Sequence, residues 1–90
     1  MKKYKIGITV DDTITDLFSQ GIMQNCIYLY LLLEKYGHFP FWILSNNEEL
    51  SNLKKECTEK NLTYNNAMCY NDLKEDNFDI ILVVRQVIGE

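Results

Sequence analysis

The sequence is short of the residues that usually announce a chemistry. Its 90 residues hold one histidine, one proline and three cysteines. Cys26, Cys57 and Cys69 are odd in number and lack CxxC spacing, which argues against a disulfide framework and against a zinc site. They are expected as reduced thiols, Cys26 and Cys69 acting as small core residues. Neither GxGxxG nor GxxxxGK[ST] occurs, so dinucleotide-binding and P-loop readings fail and no cofactor is expected. Basic residues are too few for a nucleic-acid partner: Lys and Arg total 9 against 13 acidic residues, a net charge of −4, and Lys2, Lys3 and Lys5 form the only basic cluster. Long hydrophobic runs are missing too. The longest, Cys26 to Leu33, has eight residues, against roughly 18 or more for a membrane span. The amino terminus, MKKYKIGITV, interrupts its apolar run with Gly7 and Thr9 and has no small-residue cleavage site, so the cytoplasm is the expected compartment.

What is present is a globular composition, 47% hydrophobic with 12% aromatic, enough for one small domain with a thin core. Tyr4 to Val10 alternates apolar and polar residues and is rich in β-branched side chains, so it predicts a first strand. Asp11 to Gln20 reads as a long loop, or a loop with one helical turn. From Gly21 onward Ile22, Cys26, Leu29, Leu33 and Tyr36 form one helical stripe. Met23, Ile27, Tyr30 and Leu31 widen it so far that the helix is expected to be covered on two sides. Gly37 suits the left-handed position that ends such a helix. Phe39 to Leu44 predicts a second strand, with Pro40 at its tolerant start. Asn47, Glu48 and Glu49 can cap and charge an amphipathic helix over about Glu48 to Lys60, with Leu50, Leu53 and Cys57 on its apolar side. A short third strand is expected near Thr63 to Cys69, one or two helical turns in Asn71 to Asn77, and a strand buried on both faces over Asp79 to Val84.

This order predicts an α/β, Rossmann-like three-layer fold with a four-stranded parallel sheet in the order 3-2-1-4. Its first two crossover helices share one face, and only Asn71 to Asn77 remains for the other. The sheet is therefore expected to be incomplete, or covered by a partner, on one face, with self-association through that exposed face as one outcome.

Ligands of such sheets gather beyond the carboxyl ends of the strands. There the sequence places Asp11 and Asp12, then Ser19, Gln20 and Gly21, then Ser45 to Asn47, and finally Arg85 with Gln86. Gly21 serves either a turn or the approach of a phosphate or sugar hydroxyl to free backbone N–H groups. Gln24 and Asn25, in the first turn of the long helix, either satisfy the adjacent loop or meet a ligand. His38 lies at the opposite end of that helix, away from the crevice, where a helix-end role is expected. Asp11 and Asp12 after a strand resemble the acidic pair of response-regulator receiver domains. The phosphoacceptor position of that pattern, however, is Val84 here.

A second resemblance accounts for more of the chain. Lys5 to Val10 (KIGITV), Phe18 to Asn25 (FSQGIMQN), the apolar stretch Leu29 to Leu33, Gly37-His38, FWILSNN at 41–47 and FDIILVV at 78–84 together resemble the N-terminal half of GT-B-type glycosyltransferases. More closely, they resemble a family of glycosyltransferase-like bacterial and phage proteins marked by GIxQN. The resemblance implies that residues 1–90 form one Rossmann-like domain, the N-terminal portion of a two-domain protein. That protein would move a sugar from a nucleotide-sugar donor to a glycan acceptor, and this half would shape the acceptor side. It further implies that Gly21, Gln24 and Asn25 line the cleft and that Ser19, Gln20, Asn46 and Gln86 flank it. No catalytic or metal-binding residue is assigned. With the donor half missing, the 90 residues alone are expected not to transfer sugar. The alternative is a stand-alone, receiver-like interaction module without a phosphoacceptor.

Overall fold

Residues 2–62, 66–72 and 78–85 are described in the computed structural model of the chain. The alternation of KIGITV sets the centre of the fold. Strand β1 (Lys5–Val10) turns Ile6, Ile8 and Val10 to one face, where all three are buried. It pairs in parallel with β2 (Phe39–Leu44) on one side and with β4 (Ile80–Val84) on the other, and β3 (Ala67–Cys69) lies beyond β2. The sheet order is β3-β2-β1-β4, all parallel, as the sequence predicts. Ile8 stands level with Trp42 and Leu82, so three large apolar side chains share one layer of core.

The helices on that face are α1 (Ile14–Ser19), α2 (Ile22–Lys35) and α3 (Asn47–Glu59). Of the two readings of Asp11 to Gln20, a long loop or a loop with one helical turn, the structure has the second, extended to the six residues of α1. Ile14, Leu17 and Phe18 fall at i, i+3 and i+4 and are all buried. Thr13 makes no side-chain cap bond. The carboxylate of Glu49 in α3 accepts from the Ile14 N–H instead, at 2.6 Å. A cap drawn from 35 residues away leaves no trace in the local pattern.

Helix α2 departs from expectation in the phase of its buried stripe. Met23, Ile27 and Tyr30 are the buried residues, with Ile22, Cys26 and Leu33 packed beside them, whereas Leu29 and Tyr36 are exposed. A helix apolar around most of its circumference carries little phase information, so its contacts with α1 and β2 choose which stripe turns inward. Cover on two sides is not seen among the described residues: Tyr28 remains 66% exposed, and Leu29 and Leu31 are exposed as well. The Tyr30 ring stacks on Trp42 at 5.3 Å, and its hydroxyl accepts from the Asn66 N–H at 2.9 Å, tying α2 to the start of β3. At the carboxyl end Gly37 takes φ 88°, while His38 N–H and Gly37 N–H donate to the Leu33 and Glu34 carbonyls. This is the double closure of a Schellman motif.

Helix α3 is capped by Asn46, whose side chain accepts from Glu49 N–H at 2.9 Å, and not by Asn47. Leu53 and Cys57 are its buried residues. Of the expected third strand, Ala67–Cys69 is formed, and residues 63–65 lie outside the described residues. A single 3₁₀ turn covers Tyr70–Asp72, and the rest of the expected helical turns, residues 73–77, also lies outside them.

Strand β4 was expected to be buried on both faces. Leu82 and Val84 do pack against the core, but Ile81 and Val83, facing away from the helices, are 43% and 59% exposed. Its place at the sheet edge, with α1, α2 and α3 all on the other face, is the reason. On that second face Gly7 lets two side chains close over β1: a Cβ there would stand 2.7 Å from Ile43 Cδ1 and 3.3 Å from the Phe78 ring. Phe78 in turn meets Phe41 edge-on at 5.6 Å. The three cysteines are free thiols, Cys57 and Cys69 buried and Cys26 partly so. Among the described residues no helix is long and apolar enough to cross a membrane.

Candidate functional site

A cleft of about 320 Å³ opens where β1 and β2 end. One wall is Asp11, Asp12 and Thr13, the turn from β1 into α1; the other is Ser45 and Asn46, with Glu48 and Glu49 from the first turn of α3. The walls are held to one another and to the end of β4 by hydrogen bonds. Ser45 Oγ donates to the Val10 carbonyl at 3.3 Å, and Asp11 N–H donates to the Val84 carbonyl at 3.0 Å. Glu49 is the main tie. Its Oε2 accepts from Ile14 N–H and its Oε1 accepts from Asn52 Nδ2 at 3.2 Å, so both carboxylate oxygens act within the fold.

Among the described residues the lining is polar, with four carboxylates, two hydroxyls and a carboxamide, and includes neither Lys nor Arg. Such a surface is rich in hydrogen-bond acceptors and carries negative charge. Among the described residues no group of three or more His, Cys, Asp or Glu side chains is arranged to hold a metal ion, so the acidic character is spread along both walls.

Of the residues expected beyond the strand ends, Asp11, Asp12, Ser45 and Asn46 line this cleft, Asn46 as the α3 cap, whereas Asn47 and Arg85 are not among the lining residues. Ser19, Gln20, Gly21, Gln24 and Asn25 are gathered at the exposed corner between α1 and α2 and are not among the lining residues. Ser19 Oγ donates back to the Thr15 carbonyl at 3.1 Å, and Gln20 ends α1. Gly21 takes φ 78° with nothing within 4 Å of the position its Cβ would occupy, a geometry that the bend between two helices requires of it. Gln86 lies outside the described residues. His38 is at the amino end of β2, where its Nδ1 accepts from Tyr4 N–H at 3.1 Å, a structural use far from the cleft. Thr13, Glu48 and Glu49 are the lining residues that sequence reasoning did not place at the site. The available signal was the matching order of the two turns: a strand followed at once by short polar residues and then by a helix start.

No protein-family model matches the chain, and neither a curated protein nor a solved structure matches it.

Proposed function

We propose that this chain is the acceptor-side part of a glycosyltransferase-like protein of GT-B type, and that its cleft receives a polyhydroxylated acceptor. The observation that carries this reading is the cleft lining: carboxylates, hydroxyls and a carboxamide at the carboxyl ends of β1 and β2, with no cationic side chain among the described residues. Sugar hydroxyls are donors as well as acceptors, and ionised carboxylates offer them the stronger class of hydrogen bond. A diphosphate would meet like charge instead. At about 4 Å and the effective dielectric of a protein surface, each such encounter costs roughly 4 kcal/mol. The nucleotide-sugar donor therefore belongs to a second domain, and these 90 residues hold and orient the acceptor without completing the transfer. The receiver-like alternative asks for a carboxylate at the end of the strand beside β1, where Val84 stands.

The test is an amide chemical-shift titration of the chain with neutral oligosaccharides and, separately, with uridine diphosphate. The expected result is displacement of Asp11 to Thr13 and Ser45 to Glu49 by at least one oligosaccharide and by no nucleotide. Nucleotide-induced shifts at those amides, silence across the oligosaccharide panel, or sugar transfer by the chain alone would each overturn the reading.

A further inference from the structure

Helix α2 turns Met23, Ile27 and Tyr30 into the core. On its opposite side Asn25, Tyr28, Leu32 and Lys35 follow one another at steps of three, four and three, one stripe along the helix, with Gln24, Leu29, Leu31 and Tyr36 beside it. Tyr28 is 66% and Tyr36 63% exposed, and Leu29 and Leu31 are exposed as well. The outward side of a surface helix is ordinarily charged. Here Lys35 is the single charge among those eight residues, since Glu34 follows Ile27 at i+7 on the inward side. An apolar centre depleted of charge, rich in tyrosine and bounded by polar ends has the composition of a protein interface.

We infer that two copies of this chain join through the outward faces of their α2 helices, packed antiparallel about a two-fold axis at the level of Tyr30. Two-fold closure is the commonest among homo-oligomers, and here the sense of the pair is decided by charge. The carboxyl end of α2 carries Lys35. Lys3 lies beside Gly37, with its Cε 3.5 Å from the position a Cβ would take there, and the neighbouring Lys2 is exposed. A parallel pair would set these lysines against the same lysines of the second copy. The amino end has no cation, because residues 13–25 hold one charge, the exposed Asp16. Antiparallel packing brings the cationic end of each copy to the end of the other that carries Asp16, and it also aligns the two helix dipoles favourably. With the two stripes fully overlapped, Tyr28 of each copy stands opposite Leu32 of the other, and Lys35 stands opposite Asn25. The eight residues offer on the order of 600 Å² a copy, so the pair buries about 1,200 Å², the lower end of specific interfaces. A micromolar association is therefore expected.

Sedimentation of the 90-residue chain from micromolar to millimolar concentration tests this. The mass is expected to rise from 10.6 kDa towards twice that value. Tyr28→Lys, at the centre of the face, is expected to raise the dimer Kd by about tenfold or more. Lys35→Glu is expected to raise it by about threefold, because it turns a carboxylate towards the end that holds Asp16. In a parallel pair the same change would relieve repulsion and tighten the dimer. Val83→Lys, exposed on the face of the sheet away from the helices, is expected to leave the mass unchanged. Emission of the single, fully buried Trp42 reports that each variant is folded. A wild-type chain that stays monomeric at all concentrations overturns the inference, and one that is then carried down by vesicles of anionic phospholipid gives the face to a bilayer instead. A dimer indifferent to Tyr28→Lys, lost in Val83→Lys or tightened by Lys35→Glu overturns it as well.

Discussion

Glu49 Oε2 accepts from the Ile14 backbone N–H at 2.6 Å, so the first turn of α3 supplies the cap of α1. The same residue is positioned by its own helix start, where Asn46 accepts from Glu49 N–H. A single carboxylate thus joins the two chain turns that form the walls of the cleft, and loss of it should be felt both in stability and in the shape of the site.

Glu49→Ala is expected to destabilise the chain by about 1–2 kcal/mol, the usual cost of deleting a helix cap. Glu49→Gln, which keeps an acceptor without the charge, should cost less. Urea denaturation measures both. Amide hydrogen exchange should show Ile14 losing protection in the alanine variant ahead of the strands.

Gly7 is a site of close approach between β1 and the side chains above it. Gly7→Ala would bring a methyl to 2.7 Å from Ile43 Cδ1 and 3.3 Å from the Phe78 ring, an overpacking expected to cost about 1–3 kcal/mol. Ile43→Val removes the nearer atom at an expected cost of about 0.5–1.5 kcal/mol. Because the two changes relieve one another, the double variant should be more stable than the sum of the single losses, which a double-mutant cycle read by denaturation detects.

Burial raises the pKa of the Cys26 thiol above its ordinary 9.0. Cys57 is raised as well, first by burial and then by the Glu56 carboxylate, against the opposing Lys60 ammonium. Both thiols therefore keep their protons in the folded chain at a pH where the unfolded chain loses them. Their contribution to stability is whole below the ordinary thiol pKa and declines as pH rises through it towards the folded values. The urea midpoint is expected to fall between about pH 8 and pH 10, and Cys57→Ala should flatten that slope while lowering the midpoint at neutral pH. Alkylation by iodoacetamide should be much slower in buffer than in urea, since the thiolate is the nucleophile.

The elements most legible in the sequence were those with local causes. Phe39–Leu44 lies within the bounds its apolar run suggested, and Gly37 closes α2 because only a residue without a Cβ takes φ 88° there without strain. The parallel order followed from the alternation of strands and helices together with the right-handedness of crossovers. The sequence left Asp11 to Gln20 open between a loop and a loop with one helical turn; the six-residue α1 takes its cap from Glu49, which no local pattern announces. Of the wide apolar stripe expected on α2, Leu29, Leu31 and Tyr36 are exposed, and the sequence could not single them out because they are no less apolar than Ile27 and Tyr30. At the site, the position of the cleft was legible from the strand ends, and Asn46 was among the residues expected there. The acidic wall from Glu48 and Glu49 was not, since a glutamate pair at a helix start reads first as favourable to the helix dipole.

Periodicity and glycine placement were enough to determine an α/β chain with a 3-2-1-4 parallel sheet, because those properties depend on residues near one another in sequence and on the fixed hand of crossovers. Which side of α2 is buried, that Glu49 serves α1 as well as α3, that Gly7 sits beneath Ile43 and Phe78, and that Ile81 and Val83 of β4 are left exposed among the described residues were decided only in three dimensions. Each depends on which element packs against which, and side chains brought together from opposite ends of the chain leave no period in the sequence.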